Sequence, residues 1–338
     1  MHREIKLPQI PPADKTLPHG ALDSWKIGIA CGLLVLASAT PVQAFQGRHA
    51  QEKQSQFSVR VDLISLDVEV LNQNGTPVQG LTRDDFAIRE DGKPREISSF
   101  AWITGQPVSL TVILDTSAVT SEKLSLAKDY ITLLAHLLAP GDEICLYTYD
   151  YRDAWLEQNF TRERLALVEA LENIGVTSGK KRTFFREQFG PEPRAGLSID
   201  LALLHASEGS NERKSILVVS DRHKGLGEAT DDHVSRSSCA IYVLSLSGSA
   251  ETVAELEANP SDRGRLARES GGRQFVAQGQ DMTGVCRTIA YALKNHYTIT
   301  YLTEIGVQPQ GPRRIEVLLP GRDCIIHARR SYTIQAGR

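Results

Sequence analysis

Residues 108–124 read VSLTVILDTSAVTSEKL: an apolar run that stops at Asp115, then hydroxyls, then a helix-forming pattern. An aspartate at the carboxyl end of a buried strand stands where open α/β sheets bind their ligands. Asp115, Thr116 and Ser117 offer hard oxygen donors of the kind Mg²⁺ takes. A second apolar run, residues 215–220 (SILVVS), ends at Asp221. In a parallel sheet both carboxylates face one crevice, where with Ser117 they would hold Mg²⁺ or another divalent cation together with water. The same residue types also cap helices, so the donor set alone leaves both readings open.

Other groups are weaker candidates. Gly196-Leu197-Ser198-Ile199-Asp200 nearly matches a G-x-S-x-G nucleophile elbow, with His205 and His223 nearby in sequence. An elbow needs a strand directly before the serine, whereas a polar loop precedes Ser198, and its last glycine is replaced by Asp200. Asp221, His223, Asp231, Asp232 and His233 follow no standard metal spacing and read as a solvated loop and helix start. The chain has no C-x-x-C, no phosphate-binding G-x-x-x-x-G-K-[ST] and no G-x-G-x-x-G after a strand. Residues 175–196 form a basic loop in which Lys180, Lys181, Arg182, Arg186 and Arg194 interleave with Phe184, Phe185 and Phe189. Such a loop suits a partner surface or an unstructured connection.

The elements that must position these residues alternate. Residues 57–71 show period-2 apolar alternation, Asn72-Gln73-Asn74-Gly75 signals a hairpin, and residues 86–90 and 97–102 give further short strands. From Val108 the rhythm becomes strand, helix, strand. Leu124, Ala127, Ile131, Leu134 and Leu138 recur at helical spacing, and Pro140-Gly141-Asp142 ends that helix. Strands are expected at 144–149, 154–156, 215–220, 240–246 and 273–276. Helices are expected from a Thr161 cap onward with Leu165, Val168, Leu171 and Ile174 on one face, then around 199–204, at 261–269 and at 282–294. Residues 297–302, 314–319 and 324–334 return to strand pattern. Alternating strands and helices imply a mostly parallel, doubly wound α/β sheet with helices on both faces.

Composition bounds the function. A chain of 338 residues with 23% charged residues and formal net charge −3 has no bulk attraction for nucleic acid. Residues 1–44 carry Trp25-Lys26, an apolar run of about 13 residues and a Val42-Gln43-Ala44 ending, the pattern of a secretory signal peptide. That run is shorter than the ~20 residues of a spanning helix. The polar lead is long for a signal, so a downstream start or an uncleaved membrane anchor stays open. Export would leave Cys145, Cys239, Cys286 and Cys324 where disulfides are permitted, with three possible pairings. Cys145, inside an apolar strand pattern, also reads as a buried free thiol.

Taken in order, the strand ending in D-T-S, the helix, L-A-P-G-D-E, the next strand and V-V-S-D resemble the von Willebrand factor type A domain. The lead-in Gly80-Leu81-Thr82-Arg83-Asp84-Asp85-Phe86 with Glu90-Asp91-Gly92-Lys93 and Phe100 resembles that of secreted bacterial relatives of the domain. So do the closing Tyr297-Thr298-Ile299-Thr300-Tyr301 and Ala328-Arg329-Arg330-Ser331-Tyr332. The resemblance covers roughly residues 57–334. It implies a metal-ion-dependent adhesion site at the carboxyl edge of the sheet, where an acidic group of the partner completes the ion's shell. Carried over by position, Asp115, Ser117 and Asp221 match the family's ligands. Val119 and Gly196 stand where the family has hydroxyl donors, and neither Thr120 nor Ser198 has the spacing to replace them. The site is therefore expected to be degenerate. Arg222, His223 and Lys224, directly after Asp221, are candidates to replace the ion's charge.

The expected organisation is a signal peptide at 1–44, a linker at 45–56, a type A domain at 105–293, and a small β-sandwich joined from 57–103 and 296–334. The expected function is non-catalytic binding of a protein partner by a secreted or periplasmic chain. Arg222, His223, Lys181, Arg182, Phe184 and Phe185 are the partner-side candidates. The alternatives are a structural or assembly component with a decayed metal site and, as a minor one, a serine hydrolase around Ser198.

Overall fold

The computed structural model describes residues 60–117, 120–150, 153–175, 195–221, 233–247, 258, 260–277, 281–305 and 311–333. All of these belong to one compact unit, Phe57–Arg338. The expected signal peptide and linker lie outside the described residues, as do Lys181, Arg182, Phe184, Phe185, Arg222, His223 and Lys224.

Fully buried strands build the α/β part. Strand β5 (Val108–Asp115) is buried at every position, as is β6 (Glu143–Tyr149). With β8 (Arg213–Ser220), β9 (Ala240–Ser245) and β10 (Gln274–Val276) they form a parallel array, closed at one edge by antiparallel β7 (Ala154–Thr161). The strand order is β10-β9-β8-β5-β6-β7. Near-continuous apolar runs fit strands covered on both faces, and the helices supply that cover. Helices α1 (Ser121–Leu137), α2 (Arg164–Glu172) and α5 (Met282–Lys294) pack on the face carrying Leu110, Val112 and Leu114. Helices α3 (Ala195–His205) and α4 (Asp262–Ser270) cover the opposite face, against Ile113, Ile216 and Val218. This is a doubly wound α/β sheet.

Helix α1 follows its sequence closely. Thr120 Oγ1 accepts from the Lys123 amide at 3.3 Å, capping the first turn. Leu124, Ala127, Ile131 and Leu134 point into the core, each large one contributing roughly 1.5–3 kcal/mol by leaving water. Helix α2 departs from expectation. Thr161 ends β7, Glu163 is the N-cap, and the buried positions are Leu167 and Leu171 with Ile174 beyond the helix, while Leu165 is exposed. The strand predicted at 154–156 runs on to Thr161 because antiparallel pairing with β6 continues to Ile144, and that shifts the helix start.

The flanking segments meet because the α/β part is inserted between two paired strands. Strand β1 (Arg60–Leu71) pairs antiparallel with β11 (His296–Ile305), and β11 also pairs with β4 (Ile97–Ile103). The sheet order is β13-β1-β11-β4, with β13 at Ile325–Ala328. A second sheet of β14 (Ser331–Tyr332), β12 (Arg313–Leu318), β2 (Ala87–Glu90) and β3 (Lys93–Arg95) shares its apolar core. Phe86, Phe100, Trp102 and Tyr297 form its aromatic centre, with ring centroids 4.6–5.5 Å apart. Polar contacts fasten this β part to the start of the central strands. Asp67 bonds Arg213 at the head of β8, and Glu69 pairs with Arg273 beside β10 at 3.0 Å. The β part is thus anchored at the amino edge of the parallel sheet, opposite the strand ends.

Candidate functional site

The strand-end aspartates are where the sequence puts them, but their partners are unexpected. Asp115 closes β5 and is fully buried. Its Oδ1 accepts from the Ser117 amide at 2.9 Å and the Ser117 hydroxyl at 2.5 Å. Its Oδ2 accepts from the Ser220 hydroxyl, at the end of neighbouring β8, at 2.6 Å. Arg263 Nη1 in turn donates to Ser220 Oγ, and Arg263 Nη2 lies 3.6 Å from Asp115 Oδ2. The guanidinium is 1% exposed and sits 5.9 Å from the centre of the Tyr149 ring. Burial, and then the charge of Asp115, push the Tyr149 phenol up, so it stays neutral at physiological pH.

Asp221 repeats the pattern one strand along. It follows β8, and its Oδ2 accepts from Lys123 Nζ at 2.6 Å. Ser247, two residues beyond β9, donates to Asp221 Oδ1 and accepts from the same ammonium. The pair is more open than the first, with side chains 35% and 18% exposed for Lys123 and Asp221. Each aspartate is therefore held by a cation and a serine, the serine hydroxyl bridging the two.

Sequence reasoning missed both cations. Lys123 lies in the first turn of α1 and Arg263 in the first turn of α4, after the Ser261 cap. Both stand at the end of a helix where the peptide dipole disfavours positive charge. A cation there, aimed inward at a strand end, is the signal that would have found them. Thr116, expected as an oxygen donor, instead donates its hydroxyl to the Tyr149 carbonyl at 3.0 Å. Thr120 is the α1 cap, and Ser198 is fully buried within α3.

This donor set does not fit the divalent ion that the resemblance implies. Both oxygens of Asp115 are engaged, a guanidinium lies against it, and the carboxylate has no exposure. Asp221 is engaged by an ammonium. Among the described residues no group of three or more His, Cys, Asp or Glu side chains converges.

Among the described residues the hydrolase constellation is not assembled; His223 lies outside them. Ser198 lies inside α3, which already begins at Ala195, so no strand leads into an elbow. His205 turns Nδ1 to the Tyr147 hydroxyl at 3.0 Å and Nε2 to Glu208 at 3.0 Å. His233 pairs with Asp200 at 2.8 Å. Cys145, Cys239, Cys286 and Cys324 are free thiols, the first three buried.

No protein-family model and no curated protein matches the chain. Solved structures similar to it include the conserved hypothetical protein BatB from Bacteroides thetaiotaomicron, at 15% identity over 54% of this chain and 97% of that one, TM-score 0.39. The SpRpn10 VWA domain is similar at 12% identity over 53% and 93%, TM-score 0.38. The vWF domain of the type V pili tip protein Mfa5 from Porphyromonas gingivalis is similar at 15% identity over 36% and 39%, TM-score 0.27.

Proposed function

We propose that the chain is a non-catalytic protein-binding module of the extracytoplasmic space, docking its partner at the carboxyl edge of the α/β sheet. One observation carries the reading: charged side chains from two strand ends and two helix starts converge at this edge, and the Lys123–Asp221 pair among them stays partly open. Buried charge is expensive to retain, and ligands of open α/β sheets dock at this edge. The β part, fastened at the amino edge, leaves the docking side to the strand-end loops. The export pattern of residues 1–44 supports an extracytoplasmic location, which N-terminal sequencing of the mature chain would test.

A photo-crosslinking residue at exposed Glu122, beside the site, and another at exposed Glu212, at the amino edge, test the docking side. Crosslinks from position 122 that are absent from 212 support the reading. Crosslinks from 212 alone refute it. The assembly alternative has its own observation, an exposed apolar pair in which Leu63 of β1 faces Leu302 of β11. Binding retained in edge variants but abolished by Leu63→Asp would favour that surface.

A further inference from the structure

We infer that Arg263 and Lys123 are built-in replacements for a divalent ion, so that this edge carries its full positive charge without metal. The charge count is the first argument. Two carboxylates contribute two negative charges, and a divalent ion would balance them; here one guanidinium and one ammonium balance them instead.

The second argument is that the replacement occurs twice in the same form. On adjacent strands a cation from a helix's first turn donates to a serine hydroxyl, and that hydroxyl donates to the strand-end carboxylate. The sets are Arg263–Ser220–Asp115 and Lys123–Ser247–Asp221. A hard ion needs carboxylate and hydroxyl oxygens with free lone pairs. These oxygens are already committed, and fixed positive charge beside them repels a second cation.

The third argument is that both cations sit against local preference. A first-turn position favours acidic residues, and full burial of an arginine costs several kcal/mol unless it is paired. Their placement makes sense through the aspartates they neutralise.

The inference rests on the docking reading only for the consequence that partner binding resists chelators; the charge replacement is testable on the purified full chain alone. Manganese is the probe, with free Mn²⁺ followed by its electron paramagnetic resonance signal. The chelator-stripped wild type is expected to leave the signal undiminished into the millimolar range. Lys123→Gln, and the double variant Lys123→Gln/Arg263→Gln if it retains a native circular dichroism spectrum, are expected to take up Mn²⁺ at least tenfold more tightly. Asp221→Asn added to either should abolish the uptake. Saturable uptake by the wild type that Asp115→Asn removes would overturn the inference. So would folded Lys123→Gln with no gain, because the ammonium would then not be what occupies the ion's place. A failure to crosslink at Glu122 with these manganese results intact would count against docking and leave the charge replacement standing.

Discussion

Replacing Arg263 by Met tests whether the buried guanidinium is what makes a buried carboxylate tolerable at the end of β5. Methionine keeps most of the length and the apolar stem while removing the charge. Removing one member of a buried ion pair costs about 3–5 kcal/mol, because the other charge is left without compensation. Asp115 keeps three hydrogen bonds, from the Ser117 amide, the Ser117 hydroxyl and Ser220. Those bonds place the expected loss near the lower limit, about 3 kcal/mol, or roughly 6–12 °C in Tm for a domain of this size. Asp115→Asn should cost less, since the amide keeps the shape and part of the bonding. The double variant then decides the cause: if the pair interacts, its loss falls short of the sum of the singles by at least about 1 kcal/mol. Urea unfolding of the four chains gives all the quantities. Strict additivity, or a loss below about 1 kcal/mol for Arg263→Met, would refute the argument and make Arg263 a packing residue whose charge is incidental.

Three further outcomes follow from other parts of the molecule. Burial pushes Asp67 up, but the hydrogen bond from His296 and the charges of Arg213 and His296 outweigh it and bring its pKa down to about 2. A depressed carboxylate stabilises the fold above its unfolded value near 4 and loses that contribution as pH falls toward about 2. Asp67→Asn should therefore lower stability at pH ~6 and converge with wild type near pH ~2 in acid-unfolding curves; a gap that persists at the acid end would contradict the assignment. Gly272→Ala would set a Cβ 2.1 Å from the Ile241 carbonyl oxygen, a backbone atom of β9 that cannot step aside. A loss of at least about 1–3 kcal/mol is expected, and an unchanged Tm would show that the α4–β10 turn is looser than described. Burial raises the Cys145 thiol to about 12 and the Cys286 thiol to about 11. In a native alkylation time course read by peptide mass spectrometry, half-buried Cys324 should label first and these two only after unfolding. Early labelling of Cys145 would contradict its burial.

The skeleton was legible in the sequence because burial on two faces leaves an unambiguous mark. The runs at β5, β6 and β8 could only be strands with helices above and below, and each ends in the residue that the structure places at the edge. The pairing of the flanks was legible too, since two strand-rich ends around an α/β insert have apolar faces to bury against each other. Two kinds of information were hidden. One was extent: β7 runs to Thr161 through a stretch, EQNFT, whose polar residues give no alternation, because the strand is at the sheet's edge and largely exposed. The other was the identity of the counter-charges. Arg263 belongs to the segment DRGRLARES, which reads as a solvated helix face, yet Arg263, Gly264, Leu266 and Ala267 are all buried. The apolar pattern is that of a helix packed by only one narrow stripe, and the arginine extends the stripe toward a charge that lies on another strand. Contacts of that kind have no local spacing, so only the conflict with the helix dipole could have announced them.

The two carboxylates were visible in the sequence because each closes an apolar strand run. An ion needs several oxygens around one point, and each lost hydroxyl weakens it. A fixed cation needs only one anion at one distance, so two strand-end aspartates suffice as counter-charges to Arg263 and Lys123. The consequence is physical. A bound ion would add stability that grows with its concentration, and a chelator would withdraw it. Arg263 and Lys123 are covalently part of the chain, so the charge at this edge is the same in every ionic environment, apart from screening of the more open Lys123–Asp221 pair by salt. Partner binding should accordingly survive chelation and weaken with ionic strength. Measured affinity that responds to EDTA but not to salt would reverse the assignment of charge from protein to metal.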